Sequence, residues 1–153
     1  MDPLSITGSI VTLIGATHKV ISICQNYKAA IKGAEWELPR IIEEVESLRG
    51  VLQGLERLAK QAENADPAAM SQLPQLSRLC DPKTGIFALC LSELQTLERK
   101  LIPPGWTGES ESKLRKLIQA LGWPLKKSFV KETLGNLERF KASLNLDLVT
   151  IGV

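Results

Sequence analysis

At 153 residues the chain has the length of one domain and enough material to bury a proper hydrophobic core. With 44% apolar and 24% charged residues it sits at the average for globular proteins, which excludes a disordered chain. A net charge of +2 and only 5% aromatics supply neither the electrostatic footprint nor the stacking platform of a nucleic-acid binder, so no nucleic-acid partner is expected.

The first predicted helix runs from about Pro3, a residue suited to a first helical turn, to Ile31, with Gly33 as its stop. Ile6, Ile10, Leu13, Ile14, Val20, Ile21 and Cys24 recur at three- and four-residue steps. Ser5, Ser9, Thr12 and Ala16 follow the same spacing on a neighbouring face, so the second stripe is small rather than charged. The stretch from Pro3 to Thr17 carries no charge; it is shorter than the roughly 20 residues of a spanning helix unless His18 and Lys19 sit near an interface.

The second helix opens near Pro39 and places Ile41, Val45, Leu48, Leu52, Leu55 and Ala59 on one face, leaving Glu43, Glu44, Glu46, Arg49, Glu56, Arg57 and Lys60 to solvent. Asn64-Ala65-Asp66-Pro67 reads as a break, followed by a short, weak helix between Ala68 and Leu79 interrupted by Pro74. A strong helix then spans about Thr84 to Leu101 with Phe87, Cys90, Leu94, Leu97 and Leu101 in register, ended by Pro103-Pro104-Gly105. Ser110 and Lys113 begin another, carrying Leu114, Leu117, Ile118 and Leu121, and Trp123-Pro124 marks a corner. The last helix carries Val130, Leu134, Leu137, Phe140, Leu144 and Leu148, and leads into a β-prone but isolated tail, Val149 to Val153. No segment alternates as a strand between hairpin turns. The expected fold is all-α, an antiparallel bundle of four to five main helices over residues 1–153.

Motifs for chemistry are lacking. The sequence holds no Gly-x-Ser-x-Gly elbow and no HExxH, and Gly105-Trp106-Thr107-Gly108 lacks the ending of a phosphate loop. Glu43, Glu44 and Glu46 read as a solvated helix face rather than paired catalytic carboxylates. Cys24, Cys80 and Cys90 are odd in number and widely spaced, which speaks for buried thiols in a reducing compartment rather than a disulfide framework. With His18 as the single histidine, no metal, cofactor or catalytic residue is expected. The start, Met1-Asp2-Pro3, lacks a basic leader and a small-residue cleavage site, so export is not expected.

Two physical features remain. The first helix is apolar nearly all round for four turns, which suits a central bundle helix; its spacings Ser5xxxSer9, Gly8xxxThr12 and Thr12xxxAla16 also suit close helix approach in lipid. Between Ser112 and Lys131 the charged residues are Lys113, Arg115, Lys116, Lys126, Lys127 and Lys131, with no acid among them, a stretch that would attract anionic lipid headgroups or simply form a solvated face. Trp106 and Trp123 flank it and suit either a membrane interface or the core.

The opening Met1-Asp2-Pro3-Leu4-Ser5-Ile6, and the ending Leu121-Gly122-Trp123-Pro124-Leu125-Lys126-Lys127 with Val130-Lys131, Leu134, Leu137-Glu138-Arg139 and Leu144-Asn145-Leu146, resemble the HeLo-like N-terminal domains of fungal STAND proteins, receptors with NACHT modules or ankyrin repeats. The resemblance spans essentially the whole chain, and the Trp-Pro corner with the Leu-Glu-Arg helix is its most specific part. It implies a helical cell-death effector, similar in architecture to the four-helix executioner of animal necroptosis, held in the cytoplasm and moved to the plasma membrane when a receptor oligomerises. The implied partners are anionic membrane lipids, further copies of the domain and a downstream NACHT or ankyrin-repeat module. The implied membrane-acting segment is about Leu4 to Ile23, led by Leu4, Ile6, Ile10, Leu13, Ile14, Val20 and Ile21. His18 and Lys19 depart from an unbroken apolar run and favour tilted or shallow insertion. The alternative is a helical adaptor that recruits another signalling protein without touching lipid.

Overall fold

A computed structural model describes the backbone of residues 3–31, 37–65 and 85–152 and the side chains of residues 7–31, 37–61 and 85–149. It holds five α-helices and, among the described residues, no strand: α1 (Pro3–Ala30), α2 (Glu37–Ala65), α3 (Ile86–Leu101), α4 (Glu111–Leu121) and α5 (Lys127–Gly152). The weak helix expected between Ala68 and Leu79, and Cys80 beyond it, lie outside the described residues.

Helix ends follow local chemistry. Ser110 caps α4 by accepting a hydrogen bond from the Lys113 backbone N–H at 3.3 Å, with Glu111 favourably placed in the first turn. Gly122 ends α4 at φ 77°, a left-handed conformation that a side chain would strain, and its N–H returns to the Ile118 carbonyl at 2.8 Å. Pro103 and Pro104 prevent α3 from continuing past Ile102.

Contacts between side chains fix the topology. His18 meets Arg49, so α1 and α2 run antiparallel about the connection between them. Lys141 pairs with Glu44 while Leu148 lies against Gly54, so α5 runs parallel to α2. Asn136 meets Glu93 and Phe129 meets Lys100, so α5 is antiparallel to α3. Tyr27 reaches the Leu101 carbonyl, placing the C-terminal ends of α1 and α3 together. α1 packs on α2, α3 and α4, and α5 closes the bundle against α2 and α3.

The core is the set of apolar stripes. Ile41, Val45, Leu48, Leu52, Leu55 and Ala59 of α2 are inaccessible to solvent, as are Cys90, Leu94, Leu97 and Leu101 of α3 and Val130, Leu137 and Leu144 of α5. Each fully buried aliphatic side chain of this size contributes about 1.5–3 kcal/mol relative to exposure. Glycine in the middle of α2 has a packing reason: a Cβ at Gly54 would lie 3.0 Å from Leu148 Cδ2, so its absence lets α5 approach.

Three expectations need correction. The β-prone tail is helical through Gly152, because extending α5 adds a hydrogen bond per residue whereas a lone strand has no partner. Leu121 is 57% exposed at the end of α4, beyond the reach of the core that Leu114 and Ile118 enter. Glu44 is not part of a solvated face: only 14% of its side chain is exposed, and it pairs with Lys141 of α5 at 3.2 Å.

Candidate membrane-acting helix and basic end

Of the side chains assigned to the membrane-acting helix, Ile10, Leu13, Val20 and Ile21 are buried in the bundle and Ile14 is partly buried against it. Those of Leu4 and Ile6 lie outside the described residues. The small-residue stripe does not hold to one face, since Ala16 turns into the core while Thr12 faces solvent. The exposed residues of α1 among those described are instead Gly8, Val11, Thr12, His18, Lys19, Ser22, Gln25, Lys28 and Ala29, with Gly15 at the edge. Thr7–Ala30 is long and apolar enough to cross a membrane by length and composition, a property that core helices of soluble proteins share.

Two of the polar ties from α1 to other helices lie near its C-terminal end. The buried Tyr27 hydroxyl donates to the Leu101 carbonyl at 2.5 Å, and its ring meets Trp123 edge-on, with centroids 5.4 Å apart and planes at 87°. Trp123 Nε1 donates to Glu37 Oε2 at 2.6 Å, tying the α4–α5 corner to the start of α2. Arg115 Nε of α4 donates to Asn26 Oδ1 at 3.0 Å. The Tyr27–Trp123–Glu37 cluster was missed by periodicity, because it joins residues that no helical spacing relates. The Trp-Pro corner was its one sequence signal. Trp106 and Trp123 are both partly buried against the core.

These contacts put the C-terminal ends of α1 and α3, the N-terminal ends of α2 and α5, and α4 at one end of the bundle. All six candidate lipid-contacting residues belong to elements at that end and are exposed. Two have protein partners: Arg115 holds Asn26, and Lys113 pairs with Glu109 at 3.5 Å. The stretch is thus free of acids in sequence but not in space. The Thr107 hydroxyl, with Lys113 as a lesser influence, holds Glu109 below its ordinary pKa. Lys116, Lys126, Lys127 and Lys131 form no ion pair among the described residues. Lys100, absent from the sequence expectation, joins Lys126 at a pocket of about 190 Å³ with Pro124, Leu125 and Phe129.

Cys24 and Cys90 are buried free thiols. Burial pushes both up from an ordinary 9.0 to about 12, with a smaller contribution from Glu93 at Cys90. A raised thiol pKa favours the neutral form in the fold, so its stabilising effect is intact below about 9 and is lost as pH rises toward about 12. Iodoacetamide followed by peptide mass spectrometry should label both slowly in the native state and fast in urea, and the unfolding midpoint should fall across that alkaline range. Among the described residues no three of His, Cys, Asp and Glu are grouped to hold a metal ion.

Comparison with protein-family models, curated proteins and solved structures finds no match for this chain.

Proposed function

We propose that this chain is a latent membrane-acting signalling module of the HeLo-like type, whose first helix leaves the bundle for lipid when copies are gathered together. The observation that carries it is α1 itself: a helix with the length and apolarity of a membrane segment, whose Ile10, Leu13, Val20 and Ile21 side chains are buried in the core. The exposed lysines at one end of the bundle supply the second element, attraction to anionic headgroups at about 1 kcal/mol for each residue near the surface.

The two elements impose a geometry on the mechanism. The basic residues cluster at the end where α1 finishes, whereas Pro3 starts α1 about 42 Å away at ~1.5 Å per residue. A bundle docked by its basic end therefore holds the start of α1 away from the bilayer. To enter lipid, α1 must peel from α2 and α3 and swing about its tied C-terminal end near Asn26 and Tyr27. That motion exposes Ile10, Leu13 and Val20, an unfavourable step in water that lipid or a second copy offsets.

A second reading, a helical adaptor, draws on Leu146 and Val149, which are 67% and 57% exposed one turn apart on α5. Dye leakage from vesicles separates the two. With the domain gathered through a fused oligomerising tag, the membrane reading expects leakage from anionic vesicles and little from neutral ones. Absence of leakage from either, with the helical circular dichroism spectrum retained, would favour the adaptor.

A further inference from the structure

The pocket between α3 and α5 has a composition that the general attraction of lysines to lipid does not use. It is lined by two ammonium groups, Lys100 and Lys126, and three apolar side chains, Pro124, Leu125 and Phe129. Lys100 Nζ lies 4.7 Å from the centre of the Phe129 ring, a contact that steadies the ammonium while leaving N–H donors to turn outward.

Lys100 has an ordinary explanation, because a cation in the last turn of α3 complements that helix's carbonyl end. Lys126 and Lys127 do not. They stand at the start of α5, where the unpaired backbone N–H groups already present positive charge, and the first turn carries no acidic residue to offset it. No carboxylate lines the pocket. An apolar floor beneath such an uncompensated positive rim fits a ligand with a multiply charged anionic head and a hydrocarbon tail. At about 190 Å³ the pocket falls below the 300–1,000 Å³ usual for whole small-molecule ligands, so it suits a headgroup and the first carbons of a chain.

Resting on the membrane reading above, we infer that this pocket is a site for a phosphate monoester bearing an apolar chain, with the phosphate between Lys100 and Lys126 and the chain on Leu125 and Phe129. A monoester is preferred to a diester because its second negative charge answers two ammonium groups and a helix N-terminus together. The lipid source is a phosphatidic-acid headgroup in a bilayer; the same chemistry in solution is a free phosphorylated amphiphile or inorganic phosphate.

The test measures binding, not leakage, so it stands whether or not α1 ever enters a membrane. The untagged chain is sedimented with phosphatidylcholine vesicles carrying phosphatidic acid or phosphatidylserine at matched surface charge. Binding to phosphatidic acid should be about tenfold tighter, and Lys100→Gln or Lys126→Gln should each remove most of that preference. Lys60→Gln, which deletes the same charge on α2, should leave the preference intact. Amide spectra with soluble dihexanoyl phosphatidic acid should shift residues 125–129 first. Equal binding to the two vesicle types, or equal loss in all three variants, would overturn the site in favour of diffuse charge attraction. Inorganic phosphate binding as tightly as the short-chain lipid would overturn the assignment of an apolar chain.

Discussion

Val11→Asp is expected to leave the bundle folded and to abolish vesicle leakage, whereas Ile10→Asp, one residue earlier, is expected to unfold it. Val11 is 49% exposed, and substitutions at such positions usually change stability by no more than about 0.5 kcal/mol. In a bilayer every face of an inserted helix meets lipid or another helix, and an aspartate near the middle of such a helix costs about 2.5–3.5 kcal/mol. At ~1.4 kcal/mol per factor of ten, insertion falls roughly a hundredfold. Ile10 has no exposed surface, so its replacement removes about 2–5 kcal/mol of packing and buries a carboxylate without a partner. Against a total stability of about 5–15 kcal/mol, that is enough to unfold the chain. Urea denaturation followed by circular dichroism checks the first half of each expectation, and dye release the second. A folded Val11→Asp variant that releases dye as fast as the parent would mean that α1 does not enter the membrane.

Trp123→Ala is expected to cost about 3–5 kcal/mol, the range for removing a large aromatic from a packed site. The ring stands edge-on to Tyr27, and its N–H is the donor to Glu37, which is only 6% exposed. Trp123→Phe separates the two contributions. It retains a ring against Tyr27 but leaves Glu37 without its indole donor, at a cost of about 1.5–3 kcal/mol. Both are measured as the shift in urea midpoint at constant slope. A loss below about 0.5 kcal/mol for Trp123→Phe would show that the Trp123–Glu37 bond is exchanged for water at no net cost. Because these ties sit where α1 ends, weakening them also loosens the point about which α1 is proposed to swing.

Much of the fold was legible because the apolar residues of α2, α3 and α5 recur at helical steps, and every position from Ile41 to Ala59 on that stripe is buried as its spacing requires. Pro103, Pro104 and the Trp123-Pro124 corner likewise punctuate the chain between helices. Periodicity fails where burial depends on a partner helix. Leu121 keeps the register of Leu114 and Ile118 yet lies beyond the core, and Glu44 lies among exposed acids yet meets Lys141, 97 residues away. The outward face of α1 was misread for a related reason. An apolar helix with many small residues offers no polar stripe to orient it, so Ala16 and Thr12 could not be separated before the neighbours were placed.

The candidate site was only half legible. Runs of lysine are visible in a sequence, but their end of the bundle is not. That end is set by Tyr27 reaching Leu101 and Arg115 reaching Asn26, pairs 74 and 89 residues apart. The basic end lies opposite the start of α1, which is why the proposed release is a swing about the far end of that helix. Lys100 was missed because it falls outside the acid-free stretch and joins Lys126 only through the packing of α3 on α5.

The most direct test locks α1 to α2. His18 Nδ1 and an Arg49 guanidinium nitrogen are 3.3 Å apart, so cysteines introduced as His18→Cys and Arg49→Cys can be joined by a reducible bis-maleimide linker. Cys80→Ser removes one competing thiol, and Cys24 and Cys90 are buried. With the tagged domain on anionic vesicles, leakage should be absent while the linker is intact and return when it is cleaved by reductant. Leakage undiminished in the linked protein would contradict release of α1 from the bundle.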